Sequence, residues 1–454
     1  MRNIIILITF IFSFNVLAKM SAEDKAYLKS LEHAKKKDYF TALDTIARFY
    51  ISKTPEQNIK EYIEDLTSNT GTHYFNTYKD VQLRKINTPT TQLIMAKRNL
   101  YLKKFSHAIK RLKKFPKTHR LYPEAMMVLG SVYALNNQDD KAHEVYKKCS
   151  EVAKKEEDRS QYKTKRYFAI IKETCFIDQA RIHFRNKDFK KALSLYNEVP
   201  KTSFKWPYIL IEKAWSHYYL GNYNRSLGIL ITYNSPLLQS YFMPESEVLK
   251  ALNYFKLCLY PDALNVINNY YNVYKPKSDK LRQVLNRGQK KELFFFDLMF
   301  KPISESEKES SFLRNIITQM STRAKYNLDL NSLQALEVEI IRGSKGVNMR
   351  KLQEMQKDLK EQMNHYVKVS MFRFINEIHK LSYQMFNLKL EVLSRQRDLV
   401  YRNAEVTKDR KRGSLENVKR EENEEFWTFK NAFWADELGD YSFGLQSACF
   451  RKGA

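Results

Sequence analysis

The residues able to do chemistry are few and scattered. Asp436, Glu437 and Asp440 make one acidic knot near the C-terminus. Three carboxylates can hold Ca2+, but the twelve-residue loop and its spaced glycine are missing. The knot is therefore expected to cap a helix or to pair with a basic surface. The nine histidines do not cluster. His183 and His217 each precede an aromatic residue and read as helix-surface or groove residues. His365 and His379 lie several turns apart with no acidic ligand pattern between them. No HExxH, GxSxG or glycine-rich phosphate loop occurs. Catalysis needs polar groups converging on a pocket with shifted pKa values. The expectation is a non-enzymatic protein with no catalytic, metal or cofactor-binding residues.

Cys149, Cys175, Cys258 and Cys449 form no C-x-x-C pair, which argues against a zinc ribbon or a thioredoxin-type site. Cys149 closes one helical unit and Cys175 opens the next, so these two are the candidate disulfide. Four buried thiols packing as small apolar groups is the other reading.

Both readings depend on the compartment, and the N-terminus speaks to that. Arg2, the apolar run from Ile4 to Phe14 and the small-residue site at Val16-Leu17-Ala18 read as a secretory signal cleaved after Ala18. The run is shorter than the ~20 residues of a spanning helix. Export to the periplasm or the outer-membrane surface is expected, where disulfides are permitted. The chain carries 78 Lys and Arg against 51 Asp and Glu, a net charge of +27. Such a field favours anionic partners. Outside the cytoplasm these are anionic lipid, lipopolysaccharide, peptidoglycan or an acidic protein, and not nucleic acid. A solvated basic surface with no such role is the alternative.

The elements that must position any site are helices. Gly and Pro number only 11 each in 454 residues. Small residues recur at helical-hairpin spacing: Ala108, Ala142, Ala192, Ser226 and Ala263. The steps Ala108–Ala142 and Ala192–Ser226 are each 34 residues, Ser226–Ala263 is 37, and Ala142–Ala192 is 50. A second small residue, Gly130, Ala180, Ala214 or Ala251, allows close approach from the preceding helix. Tyr133, Tyr146, Tyr196, Tyr218, Leu230, Tyr254 and Ile267 fill the groove between. Phe105, Phe189, Tyr223 and Tyr260 precede Ala108, Ala192, Ser226 and Ala263 by three, on the same helical face. Turns are expected at Asn136-Asn137 and Leu220-Gly221-Asn222, and Pro55, Pro116, Pro200, Pro236 and Pro276 are expected to close units.

This grammar resembles the tetratricopeptide repeat family, most clearly at Leu129, Gly130, Tyr133, Ala142 and Tyr146. Ala96, Phe105, Ala108 and Leu112 fit as well, and Tyr39, Ala42 and Ile46 fit loosely. Residues 56–90 have room for a degenerate unit, and Lys154–Arg166 reads as a charged insertion. The resemblance implies an all-α solenoid of helical hairpins over residues 19–276, after a signal at 1–18. It also implies that the array grips proteins. The expected groove residues lie on first helices of the units: Asn99, Lys103, Met126, Arg181, His183, Lys213 and His217.

Past a connector at 277–304 the pattern changes. Residues 305–341 read as one long helix with Phe312, Ile316, Met320, Leu333, Leu336 and Ile340 along it. After a break at Arg342–Gly346 a second runs to about Asn403, completing a long helical, coiled-coil-like hairpin over 305–403. Val367, Met371, Phe374, Ile378, Leu381, Met385, Leu388 and Val392 alternate in steps of four and three, a heptad seam. At ~1.5 Å per residue this helix reaches roughly 80 Å. The seam can pack on its partner helix, on the array or on another chain.

Residues 404–425 are a charged linker or helix extension, and 426–454 an aromatic tail. The tail either docks back on the helices or anchors a partner through Trp427, Trp434 and Tyr441. The ending Trp434-x-Asp436-Glu437-Leu438-Gly439-x-Tyr441 resembles that of exported tetratricopeptide-repeat proteins of gliding-motility envelope machinery. That resemblance implies a scaffold or adaptor of a cell-envelope complex, binding envelope proteins through groove and tail. A basic protein that binds the anionic wall or outer membrane directly, or an accessory subunit positioning a wall enzyme, are the alternatives.

Overall fold

The computed structural model describes residues 20–76, 78–239, 241–300, 310–343, 349–401, 413–420, 422, 424–429 and 432–449. The expected signal at 1–18 lies outside them, as do connector residues 301–304 and residues 344–346 of the expected break. Residues 404–412, 421 and 423 of the charged stretch also lie outside, with 430, 431 and 450–454 of the tail.

The described chain is all-helical, with no strand and one isolated bridge between Gly413 and Gly444. In order the helices are α1 (Ala22–Lys35), α2 (Tyr39–Phe49), α3 (Gln57–Thr70), α4 (Asp80–Ile86), α5 (Pro89–Tyr101) and α6 (Phe105–Lys113). Then come α7 (Tyr122–Leu135), α8 (Asp139–Arg159), α9 (Tyr162–Arg185), α10 (Phe189–Asn197), α11 (Trp206–Tyr219) and α12 (Tyr223–Ile231). The last are α13 (Glu245–Lys256), α14 (Tyr260–Gly288), α15 (Phe294–Asp297), α16 (Ser310–Ser321), α17 (Ala324–Arg342) and α18 (Met349–Tyr401).

Helices pack in sequential pairs, and the small residues explain how closely. Ala42, Ala96, Ala108, Ala142, Ala180, Ala192, Ala214, Ser226, Ala251 and Ala263 are each 0% exposed. A larger side chain at any of them would hold its neighbour away. One turn closes the pairs α1–α2, α5–α6, α7–α8, α9–α10, α11–α12 and α13–α14. Its left-handed residue is Lys37, Lys103, Asn137, Lys187, Gly221 or Cys258. At each turn the next N–H returns to a carbonyl five residues back, as in Asp38 to His33, Lys104 to Asn99 and Asn222 to His217, all 2.7–2.9 Å. The left-handed residue's own N–H bonds three residues back, as in Lys187 to Phe184 at 3.0 Å. These two bonds are the Schellman closure of a helix C-terminus. The segment 56–90 forms α3, a 3-10 turn at Thr72–Phe75 and the short α4. Lys154–Arg166 lengthens α8 and α9.

The chain divides into two compact units, Met1–Val145 with Ala324–Gln362, and Tyr146–Arg323 with Met363–Ala454. The boundaries expected from composition, 19–276 and 305–403, do not coincide with this division. In the first unit Leu43, Ile46, Tyr50, Ile63, Leu66, Phe75, Leu83, Ile86 and Met95 form the core. Leu336 of α17 and Leu352 of α18 pack on Phe40. The buried Glu339 carboxylate accepts from the Phe40 and Thr41 N–H groups, both at 2.9 Å, at the positive end of α2. In the second unit the α18 seam from Val367 to Val392 is buried, so the chain covers it itself. Tyr270 and Tyr271 of α14 donate to the Ile378 and Ser382 carbonyls at 3.0 and 2.7 Å.

Two expected helix ends are corrected. Pro276 does not end its unit, since α14 continues through it to Gly288. The carbonyl that a helical proline frees belongs to Asn272, and both positions are exposed, so solvent can replace the lost bond. The helix expected over 305–341 is two helices, α16 and α17, separated at Thr322-Arg323. The Ser321 and Thr322 hydroxyls donate to the Thr318 and Gln319 carbonyls at 2.7 and 2.8 Å, taking acceptors of the last turn.

Candidate functional site

The C-terminal tail lies in a seat formed by α11, α12 and the α13–α14 turn of the second unit. Leu438 is buried beside Trp206 and Leu210 of α11. Gly439 has φ +87, and a Cβ there would come within 2.9 Å of the Trp206 ring. Both facts require glycine. Its N–H donates to Thr232 Oγ1 at 3.0 Å. Two residues on, the Tyr441 carbonyl meets Gly228 of α12, where a Cβ would lie 1.9 Å from the oxygen. Asn224 then holds the tail main chain in both directions, accepting from the Leu445 N–H at 3.2 Å and donating to the Leu445 carbonyl at 3.0 Å. Phe443 and Leu445 are buried with Leu227, Leu257 and Leu259. The Ala448 N–H donates to the Leu257 carbonyl at 2.9 Å, and a disulfide joins Cys258 to Cys449.

Charge reinforces the seat. Lys201 pairs with Asp440 at 2.7 Å and donates to the Asp436 carbonyl. Arg225 pairs with Glu424, donates to the Asp440 carbonyl at 3.1 Å and lies 4.8 Å from the Phe426 ring centre. Part of the acidic knot thus meets basic side chains. Lys213 and His217 lie in the same region. Burial lowers the pKa of Lys213, which Asp440 opposes. Burial, with Arg225 and Lys213 as neighbours, pushes the His217 imidazole down to about 4.

Of the expected groove residues, Asn99, Lys103 and Met126 belong to the first unit and Arg181, His183, Lys213 and His217 to the second. Asn99 and Met126 are buried in the first unit, because their helix faces point inward. Lys103 is the left-handed turn residue between α5 and α6. Arg181 is committed to Glu212 at 2.6 Å and Asp178 at 3.2 Å. His183 Nδ1 lies 3.4 Å from Asp188 Oδ2. Within the second unit Lys213 and His217 come together beside the tail.

Of the expected anchors, Trp427 and Trp434 are 66% and 64% exposed. Tyr441 instead packs against Phe429 and Phe433, with ring centres 5.6 and 5.7 Å away, and its Oη accepts from the Trp434 N–H. The structure joins Cys149 of α8 to Cys175 of α9. Sequence reasoning missed Lys201, Asn224, Arg225, Gly228 and the Cys258–Cys449 bond. A glycine inside a helix, as at Gly228, was the available signal, since it costs ~1 kcal/mol unless a close approach needs it. Among the described residues no helix is long and apolar enough to cross a membrane. No family model and no curated protein matches this chain.

Proposed function

We propose that this chain is a non-enzymatic, exported scaffold whose docked tail presents Trp427 and Trp434 to a partner protein of the cell envelope. The observation that carries the reading is the contrast within the tail. Leu438, Phe443 and Leu445 are buried, the tail's end is tied to Cys258, and yet two tryptophans stand in solvent. Large aromatics held on a fixed support lose little freedom on binding and are typical anchors of protein interfaces. Disulfides at Cys149–Cys175 and Cys258–Cys449 fit the oxidising compartment that the N-terminal signal implies. The recurring Schellman turns and fully buried small residues support tetratricopeptide-type hairpins as the scaffold, followed by the long helices α17 and α18. The tail's resemblance to gliding-motility envelope proteins supports a trans-envelope complex as the setting.

The test is a photoreactive side chain at position 427 or 434 in living cells, with position 147 as control. A discrete crosslink to one envelope protein is expected from the tail positions only. Loss of every discrete crosslink, or the same products from position 147, overturns the reading. The +27 charge favours a second reading, direct binding to anionic wall or outer membrane. That binding would collapse as salt rises and the Debye length shrinks to ~8 Å, whereas an aromatic anchor persists.

A further inference from the structure

A cleft of about 810 Å3 opens in the first unit between α3, the start of α5, α6 and the loop after α6. Its volume is that of a small-molecule site, ~300–1,000 Å3. Lys60 of α3 lines one wall, and Lys110, Arg111 and Lys114 of α6 and its C-cap line the other. None of the four has an ion-pair partner among the described residues. The negative end of α6 accounts for cations in its last turn. It does not account for Lys60, which comes from a different helix.

The two carboxylates on the wall are already engaged. Glu64 accepts from the Thr90 N–H at 2.7 Å and the Thr90 hydroxyl at 2.6 Å. His119 Nδ1 accepts from the Leu121 N–H at 3.2 Å, which places the ring proton on Nε2, 3.3 Å from Glu64 Oε2. Glu61 accepts from Gln57 at 2.9 Å. Arg111 donates from Nη1 to Gln92 at 2.7 Å, while its buried Nε has no hydrogen-bond partner among the described residues. Burial and the nearby Arg84 both disfavour the charged form of Arg111. Four cations against the two carboxylates Glu61 and Glu64 leave the wall with a net positive charge, and an anion seated among the cations relieves their mutual repulsion.

We propose that this cleft binds a small organic polyanion carrying at least two phosphate or carboxylate groups, held between Lys60 and the Lys110–Arg111–Lys114 wall. The concave shape suits a compact ligand rather than a flat membrane. The arrangement is separate from the tail seat and does not depend on the scaffold reading.

Calorimetric titration of the full chain at constant ionic strength tests it, with pyrophosphate and citrate as probes. Saturable one-site binding of at least one probe is expected, weakened about tenfold or more in K110Q/K114Q, as loss of close charge pairs implies. Lys110 and Lys114 are exposed, so these changes leave the fold intact, and K60Q provides an independent variant from the facing wall. The control K147Q/K148Q removes the same charge from exposed positions on α8 and should bind as the parent does. Binding of pyrophosphate alone assigns a phosphate ligand, and of citrate alone a carboxylate. The proposal is overturned if neither probe saturates, or if the control weakens binding as much as K110Q/K114Q.

Discussion

Gly228 and Tyr441 meet so closely that a Cβ on the first would sit 1.9 Å from the carbonyl oxygen of the second. Position 228 lies inside α12, where alanine is the better helix former by about 1 kcal/mol. Gly228→Ala should therefore lower the melting temperature of the full chain and make the tail protease-sensitive. In a chain truncated before residue 426 the same change should be neutral or stabilising. Equal effects in both backgrounds would show that the tail does not use this contact.

The repeated turn makes a second prediction. A Cβ at Gly221 would meet nothing within 4 Å, so Gly221→Ala isolates the cost of φ +74. About 1 kcal/mol of destabilisation is expected. Lys187 holds φ 64 without being glycine, so Lys187→Gly should gain up to about 1 kcal/mol. Urea denaturation midpoints measure both, and a loss at Lys187→Gly would contradict the shared geometry.

His217 makes stability depend on pH in a defined direction. Its pKa falls from 6.5 to about 4 in the folded protein. Above pH 6.5 the ring is neutral in both states and contributes nothing. As pH falls from 6.5 towards 4 the unfolded chain takes up a proton that the folded chain refuses, so stability drops. His217→Leu should leave the melting temperature at pH 7 unchanged or raised, and at pH 5 should recover about 2–4 °C relative to the parent. An identical pH slope in parent and variant would place the ring in solvent.

Glu339 tests the closure of the first unit. Its carboxylate serves two N–H groups of α2, and Glu339→Gln keeps the shape while removing the charge. A cost of about 1–3 kcal/mol is expected, with faster hydrogen exchange at Phe40 and Thr41. Exchange accelerated everywhere except at those two amides would argue against the cap.

How far the sequence predicts this fold depends on which interaction decides each residue. Ala108, Ala142, Ala192 and Ser226 are legible because close helix packing admits only small side chains, and that constraint repeats with the hairpin. The α18 seam is legible for a different reason: a helix face buried along its length repeats large apolar residues in steps of three and four. Lys103 and Lys187 are not, because lysine has no preference for the left-handed region and the turn imposes it. Asn99 and Met126 were misplaced because the period gives the helix but not which face meets the next hairpin. The tail seat was half legible. The spacing of Leu438, Gly439 and Tyr441 marked a motif, but its receptor residues Asn224 and Gly228 lie more than two hundred positions earlier, joined to it only by the fold.

The first unit is discontinuous, and this sets a clock on biosynthesis. Phe40 and the carboxylate that caps it are 299 residues apart. At ~5–20 residues per second, roughly 15–60 s pass between the synthesis of α2 and the arrival of its cap. During that interval the part of the first unit that ends at Val145 cannot complete its native contacts. The first unit is therefore finished late, and its leading helices wait open for a segment made some three hundred residues after them.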